Sequence, residues 1–302
     1  MQGGRSDGVR RSMPRLVAAV ILAAGWPALA QPGPPARHSK VKKTRSMLDS
    51  SVAEFIKAIP ELKGLAPATD QERLSILLQR TGENVKAFFD NLPDTTAHER
   101  IELERDFLDH RKEEFNYLAL PRPGKNVAID EYRTNAAGKR VEPQPLGQGF
   151  VTRGFVSTIV HFHPLYLPDS LFRYLGTENL GGHAMDVVYF EQIPGKARVK
   201  QSFKTANRSL EITIQGLAWI DSVSYHIARM RTELLEPYPV RELSEETAVS
   251  RYAEVRFSDM TQTFWLPEEV TVTFNWEGTV FRNRHRYSDF HLFRVAASEA
   301  PR

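Results

Sequence analysis

The sequence predicts an α+β protein, mainly antiparallel β, in which N-terminal helices pack on a large curved sheet or unclosed half-barrel of about eleven strands. Three observations predict this fold. Apolar side chains recur at helical spacing in residues 46–93. In residues 94–298 they alternate with polar side chains in short runs instead. These runs are joined mainly by short turns and lack the regular strand–helix alternation of a parallel sheet.

The composition is that of a globular protein, since 41% of the 302 residues are hydrophobic and 25% are charged. No cysteine is present, which excludes disulfides, cysteine-ligated zinc and a thiol nucleophile. Four arginines and one aspartate give residues 1–30 a charge of +3, and five basic residues give residues 31–45 a charge of +5. Because the whole chain carries +3, residues 46–302 carry −5. The predicted folded part is mildly acidic, so we expect no nucleic-acid partner.

Residues 1–30 have the organisation of a signal peptide. Four arginines precede an uncharged apolar run at residues 16–24, and a small-x-small pattern, Ala-Leu-Ala, ends at Ala30. We expect cleavage between Ala30 and Gln31 and a mature protein in the periplasm or secreted. A retained anchor is the alternative, but the run is shorter than the roughly 20 residues of a membrane span.

Residues 31–45 combine proline, glycine and positive charge with almost nothing to bury, which is typical of a disordered linker. Because no other stretch approaches the length of a membrane span, we expect a soluble mature chain. The basic run could make peripheral contact with anionic lipid head groups, but a solvated linker is favoured. The sequence leaves open whether translation begins at Met1 or Met13, and it leaves the oligomeric state open.

The helical segment is predicted to hold two or three helices. The first begins at Ser46 and stops at Pro60, because proline cannot continue a helix. The second begins after Asp70, a favourable N-cap residue. Gly82 is expected to break it, so that a third, short helix ends at Pro93.

Two stretches of the predicted half-barrel need separate comment. Residues 95–115 fit either strands with alternating side chains or a charged helix, and periodicity leaves both open. Residues 135–149 are rich in glycine and proline, which predicts a loop. Hairpin turns are predicted at Gly181-Gly182, because glycine accepts a positive φ, and at Glu277-Gly278.

The sequence holds no phosphate-binding, dinucleotide-binding or G-x-S-x-G motif. Residues 98–102 read His-Glu-Arg-Ile-Glu and lack the second histidine of the zinc-protease motif H-E-x-x-H. We interpret these residues as charge on a solvated surface. No catalytic residue, metal site or cofactor is predicted.

His161 and His163 are the best metal candidates. In a strand, side chains two positions apart point to the same side and could meet one ion. Because no third ligand is evident, a packed or surface histidine pair is the favoured interpretation.

Arg282, Arg284 and Arg286 are predicted to share one face of the last strand, opposite Asn283, His285 and Tyr287. Three guanidinium groups in a row could hold a carboxylate or phosphate group. A solvated edge that pairs with acids on the neighbouring strand is the favoured alternative.

The predicted strands provide an apolar face that is the candidate ligand-binding surface. A curved sheet capped by helices encloses either a packed core or a cavity for an acyl chain. Since protein interiors pack densely, a packed core is favoured. The candidate residues are Val188, Phe190, Ile212, Ile214, Val270, Val272, Phe274 and Trp276.

One predicted hairpin resembles a known superfamily. Residues 216–221 read Gly-Leu-Ala-Trp-Ile-Asp and are followed by Tyr225-His226-Ile227 and Arg229. This pattern is similar to the G-x-x-W-I-D…I-x-R hairpin of the lipoprotein-sorting (LolA-like) superfamily of bacterial periplasmic proteins. The resemblance implies an unclosed antiparallel half-barrel with helices across an apolar hollow that can receive lipid chains. No single functional residue is carried over.

A wider pattern resembles a family of secreted bacterial proteins of unknown function. It includes RTGENVKAFFDNLP, EFNYLAL, HFHPLY and RNRHRYSDFHLF, and it spans most of residues 75–295. The expected function is therefore an exported, non-enzymatic module that binds a hydrophobic ligand, a lipidated partner or an envelope protein. The alternatives are an envelope hydrolase whose site forms only in three dimensions and a structural envelope protein with a filled core.

Overall fold

The computed structural model describes residues 46–122, 127–147, 151–152, 154–199, 201–204, 209–236 and 243–293. The predicted signal peptide and the basic linker lie outside these residues. Within them, no helix combines the length and the apolar character that crossing a membrane requires.

The helical elements form before and between the strands. The α-helices are α1 (Val52–Ala58) and α2 (Glu72–Asn91), and 3₁₀ turns form at Pro60–Leu62, Val156–Phe162 and Leu167–Asp169. Ser51 starts α1 because its side chain and that of Glu54 form a reciprocal capping box. Asp70 caps the start of α2, close to the position predicted for it, because its carboxylate accepts the backbone N–H of Glu72 at 3.1 Å.

Twelve antiparallel strands form one sheet in the order β1-β6-β7-β10-β11-β12-β13-β14-β2-β3-β4-β5. Because β1 and β5 are its two ends, this sheet is unclosed, which confirms the predicted α+β half-barrel. Two further strands, β8 and β9, form a separate hairpin. The strands are β1 (Ala66–Pro67), β2 (Thr95–Arg105), β3 (Asp109–Pro121), β4 (Ile129–Thr134), β5 (Arg140–Val141), β6 (Ser170–Leu180), β7 (His183–Gln192), β8 (Gln201–Lys204), β9 (Ser209–Ile212), β10 (Ile214–Asp221), β11 (Ile227–Leu234), β12 (Leu243–Arg256), β13 (Thr263–Trp276) and β14 (Thr279–Leu292).

The predicted helix break at Gly82 is wrong, because α2 is one continuous helix of 20 residues. Gly82 is buried, and a Cβ atom there would lie 3.3 Å from the carbonyl oxygen of Phe162 and 3.3 Å from Cγ of Pro164. The missing side chain lets α2 approach the Val156–Phe162 turn closely. The packing that results offsets the helix-propensity cost of glycine, which is about 1 kcal/mol.

The ambiguous stretch at residues 95–115 forms the hairpin β2–β3 and not a charged helix. Its apolar residues Ala97, Ile101 and Leu103 are buried while β2 pairs with β14 on one side and β3 on the other. Long-range pairing therefore decided between two patterns that were equally compatible with the local sequence. The predicted loop at residues 135–149 is also partly wrong, since β5 forms within it and pairs with β4.

The two predicted glycine-containing hairpin turns are confirmed. Gly181 and Gly182 join β6 to β7 with φ angles of 61° and 91°. Glu277 and Gly278 join β13 to β14 with φ angles of 50° and 88°. Positive φ at both central positions matches the right-handed twist of the strands that each turn connects.

The sheet is covered on both faces. We call inner the face that packs on α2 and the Val156–Phe162 turn, and outer the face that packs on α1. Strand β7 shows the division by its alternation, because Val188 and Phe190 join the inner core whereas Val187 and Tyr189 join the outer core with Phe55 of α1.

Candidate functional site

All eight candidate residues are buried in the inner core. Trp276, with 8% of its surface exposed, is the most accessible of them. Phe274 stacks on Phe281 at a ring-centroid distance of 5.2 Å. The shared apolar face predicted for Val270, Val272, Phe274 and Trp276 is confirmed, because the intervening residues Thr271 and Thr273 lie on the opposite face. Contact between the eight residues and a ligand stays a prediction.

A pocket of about 360 Å³ opens beside this core. It is lined by α2, the Val156–Phe162 turn, the β10–β11 turn, residues 261–262 and the first residues of β13, and we call it the α2 pocket. Its apolar lining consists of Val85, Ala87, Phe88, Ile159, Ile227, Phe264 and Trp265, and its polar lining of Asn84, Thr261, Gln262, Thr263, Tyr225 and His226. None of the eight candidate residues belongs to this lining.

The β10–β11 turn is shaped by Asp221. One oxygen of its carboxylate, Oδ1, accepts the backbone N–H groups of Val223 at 3.1 Å and Ser224 at 2.7 Å. Tyr225 then adopts a positive φ of 61°, an unfavourable conformation for a bulky residue. These contacts bring Tyr225 and His226 to the pocket, so the hairpin that resembles the LolA-like motif forms one of its walls.

Two polar contacts hold helix α2 in place, one to the β10–β11 turn and one to β7. Nδ2 of Asn84 donates to the carbonyl oxygen of Ser224 at 2.8 Å. Nearer the start of the helix, Arg73 and Asp186 form an ion pair at 2.7 Å, and the carboxylate of Asp186 is fully buried. The position of α2 over the strand ends is therefore specified by side chains and does not depend on apolar packing alone.

His226 is the histidine among the described residues of the pocket lining. Burial lowers its pKa, so the imidazole is neutral at pH 7. Its ring stacks on Trp265 at 5.5 Å with an angle of 14° between the ring planes. Its Nδ1 atom is buried and makes no hydrogen bond within the part of the chain that the structure describes.

A second arrangement lies on the inner face at β2, β4 and β14, and it contradicts the interpretation of residues 98–102 as solvated charge. Glu99 is fully buried and pairs with the equally buried Arg133, whose Nη2 donates to Oε1 of Glu99 at 2.8 Å. The hydroxyl of Tyr287 donates to the same oxygen at 2.9 Å. We call these residues, with His285 and Thr152, the Glu99 cluster. The interpretation is wrong for Glu99, which occupies an inward position of β2 between the buried Ala97 and Ile101, whereas Arg100 is exposed as expected.

The protonation states within the Glu99 cluster follow from its contacts. Burial alone would raise the pKa of Glu99, but hydrogen bonds from His285 and Arg133 and the charge of Arg133 lower it to about 2. An ionised carboxylate only accepts, so His285 carries its proton on Nδ1, 3.0 Å from Oε1 of Glu99. Nε2 of His285 then accepts the hydroxyl of Thr152 at 3.0 Å. Burial lowers the pKa of His285, so its Nε2 is unprotonated at neutral pH and available to accept the Thr152 hydroxyl.

The metal candidates His161 and His163 do not lie on a strand. They occupy the end of the Val156–Phe162 turn and the residue after it, so the predicted shared orientation is wrong. His161 stacks on Phe190 at 5.6 Å, and burial lowers its pKa to about 4. Nδ1 of His163 accepts the backbone N–H of Leu165 at 3.1 Å. Within the described residues, no group of three or more potential ligands could hold a metal ion.

The arginine row on β14 pairs with acids, as favoured. Arg282 lies 3.2 Å from Glu104, Arg284 lies 3.6 Å from Glu102, and Arg286 lies 2.9 Å from Glu269. The description of this strand as an edge is wrong, because β14 lies between β13 and β2. The positive charges of these three arginines are therefore paired with carboxylates on β2 and β13, the strands on either side of β14.

Sequence reasoning missed Glu99, Arg133, His285 and Glu246. Glu246 lies on β12 opposite Phe274, and its Oε2 is buried without a hydrogen-bond partner in the described part of the chain. Burial raises the pKa of Glu246 to about 7. For Glu99 a signal was present, since a charged residue stood at a position that the alternation of β2 assigns to the core.

No protein-family model and no curated protein matches the chain. Three solved structures are similar to it in fold. A domain assigned to an outer membrane lipoprotein-sorting protein from Vibrio parahaemolyticus is 13% identical, with a TM-score of 0.39 over 74% of this chain and 93% of that chain. A DUF1329 family protein from Desulfovibrio piger is 11% identical, with a TM-score of 0.40 over 74% and 94%. A LolA superfamily protein from Nitrosomonas europaea is 13% identical, with a TM-score of 0.34 over 72% and 94%.

Proposed function

We propose that the chain is an exported periplasmic or secreted module that binds a hydrophobic ligand in the α2 pocket without chemical conversion. The α2 pocket is the observation that carries this proposal. Its volume of about 360 Å³ falls in the range of small-molecule sites, roughly 300–1,000 Å³. Seven of its thirteen described lining residues are apolar and six are polar, so an apolar wall lies beside groups that can orient a ligand. The ligand is a lipid or the lipid part of a partner.

The proposal is tested by filling the pocket. Ala87 is exposed on α2 and lines the pocket, so Ala87→Trp adds a large side chain there without removing core contacts. Ala53 is exposed on α1, at the outer face, and Ala53→Trp is the matched control. Native mass spectrometry of protein from its own envelope should show a co-purifying lipid with the wild type and with Ala53→Trp. Ala87→Trp should lose this lipid, whereas retention would contradict the proposal.

A second candidate function, ester hydrolysis, is favoured by the Glu99 cluster. Oγ of Thr152 would attack the ester carbonyl carbon while Nε2 of His285 takes the hydroxyl proton and passes it to the leaving alcohol. Water would then release the acid from Thr152, and the charge of Glu99 would stabilise the imidazolium. A half-exposed Thr152 next to a fully buried imidazole supports this candidate.

The hydrolase candidate is tested with a fluorophosphonate, which phosphonylates activated hydroxyl groups. If Thr152 is a nucleophile, the probe should modify it in the wild type and fail with His285→Gln, which removes the base. Thr158→Val, in the neighbouring Val156–Phe162 turn, should leave the modification unchanged. An unmodified Thr152 in the folded wild type would rule this candidate out and leave the binding module.

A further inference from the structure

We propose that the α2 pocket selects an uncharged amphiphile with a single alkyl chain and rejects ionised lipids. This inference rests on the proposed binding function and names its ligand class. Among the residues that the structure describes, no Asp, Glu, Lys or Arg side chain lines the pocket. A charged group that enters such a site loses its hydration and finds no counter-ion, which is unfavourable by several kcal/mol unless it is paired.

The arrangement of polar and apolar groups matches an amphiphile. Phe88, Ile159 and Phe264 are buried and supply an apolar wall. Asn84, Thr261, Gln262 and Thr263 supply neutral hydrogen-bonding groups. Nδ2 of Asn84 is oriented by its bond to Ser224, which leaves its carbonyl oxygen to accept from a ligand hydroxyl.

The charges closest in sequence do not alter this selection. On the exposed side of α2, Lys86 is ion-paired with Asp90, and Glu83 is ion-paired with Arg80 at 3.5 Å. The carboxylates of Asp221 and Glu254, whose charges act on His226, are held by backbone N–H groups of the β10–β11 turn and by Arg256 respectively. His226 adds no cation at pH 7, because burial keeps its imidazole neutral. Neither an anionic nor a cationic head group therefore finds an unpaired side chain of opposite charge in the described lining of the pocket.

The size of the pocket limits how many alkyl chains of a ligand can enter it. Its volume of about 360 Å³ lies near the lower end of the range for ligand sites. Because the core beside it is filled, one alkyl chain or its end section fits without displacing side chains. A ligand with two or three chains would have to open the inner core.

The test compares three ligands that share a twelve-carbon chain, namely 1-monolauroylglycerol, laurate and dodecyltrimethylammonium. Each is titrated calorimetrically at pH 8 below its micelle concentration. The glyceride should bind at least about ten-fold more tightly than either ion, since ten-fold corresponds to only 1.4 kcal/mol. Gln262→Lys should then strengthen laurate binding at least about five-fold, while the size-matched control Gln262→Met should not.

The outcomes separate the selection from the binding function. If laurate or dodecyltrimethylammonium binds as tightly as the glyceride, and Ala87→Trp abolishes that binding, the pocket is a ligand site and the selection for uncharged ligands is overturned. If no ligand binds the wild type, both the selection and the binding function are overturned. Binding of the glyceride that Ala87→Trp leaves unchanged would place the ligand elsewhere and also overturn the inference.

Discussion

Oε1 of Glu99 lies 3.0 Å from Nδ1 of His285, although the two residues are 186 positions apart in the sequence. Both side chains are fully buried. They meet because the last strand of the sheet, β14, returns to pair with β2. This contact places an ionised carboxylate inside the core, where Arg133 neutralises it, and the stability of the fold should therefore depend on pH.

Acid should destabilise the protein through Glu99. Its pKa is about 2 in the folded chain, against 4.5 for an ordinary glutamate. The ionised Glu99 contributes its full stabilisation of the fold above pH 4.5. This contribution is lost as the pH falls towards 2, because the glutamate of the unfolded chain binds a proton at a higher pH than that of the folded chain. The difference corresponds to roughly 3 kcal/mol. Denaturant unfolding between pH 6 and pH 2 measures it.

The control for this prediction is a pair of variants. Glu99→Gln should be less stable at pH 6, because it leaves the buried Arg133 without a counter-charge, and should show a smaller loss in acid. Glu104→Gln, which removes a half-exposed partner of Arg282, should retain the wild-type acid dependence. Identical acid profiles of wild type and Glu99→Gln would contradict the proposed origin of the effect.

Glu246 should act in the opposite direction. Burial raises its pKa from 4.5 to about 7, so the unfolded chain releases this proton first as the pH rises. Stability should fall between pH 4.5 and pH 7, by roughly 3 kcal/mol in total. The substitution Glu246→Gln should therefore change the free energy of unfolding more favourably at pH 8 than at pH 4. Parallel pH profiles for the two proteins would refute this expectation.

Phe274→Ala should cost about 3–5 kcal/mol of unfolding free energy, because the ring is buried and stacks on Phe281. Thr273→Ala should cost under about 1 kcal/mol, since Thr273 lies half-buried on the other face. Urea unfolding with and without monolauroylglycerol measures both values. If the candidate residues contact a ligand, Phe274→Ala should also remove the stabilisation by the glyceride. Equal losses at the two positions would contradict the register.

Processing of the N-terminus should produce a chain that begins at Gln31. The basic residues, the apolar run and the small residue Ala30 are the features that signal peptidase recognises. N-terminal sequencing of the envelope form checks the cleavage site. An envelope protein that begins at Met1 or Met13 would show that the segment is retained.

Local patterns in the sequence were sufficient for several features of the fold. The alternation in residues 270–276 identified which side chains are buried, because successive residues of any strand point to opposite faces. The turns at Gly181-Gly182 and Glu277-Gly278 followed from the positive φ that glycine accepts. These features depend on neighbouring residues only, so the pattern predicts them without knowledge of the strand order.

Other features depend on which distant segments meet, and only the tertiary structure decided them. Gly82 reads locally as a helix breaker, yet it lies within α2 because the Val156–Phe162 turn packs against it. Nothing local to Glu99 identifies Arg133 or His285 as its partners, since the pairing of β2 with β14 and of β3 with β4 brings them together. The sequence by itself thus determined the faces of the strands and the turns, whereas the buried ion pair and the α2 pocket arise from long-range packing that local periodicity does not encode.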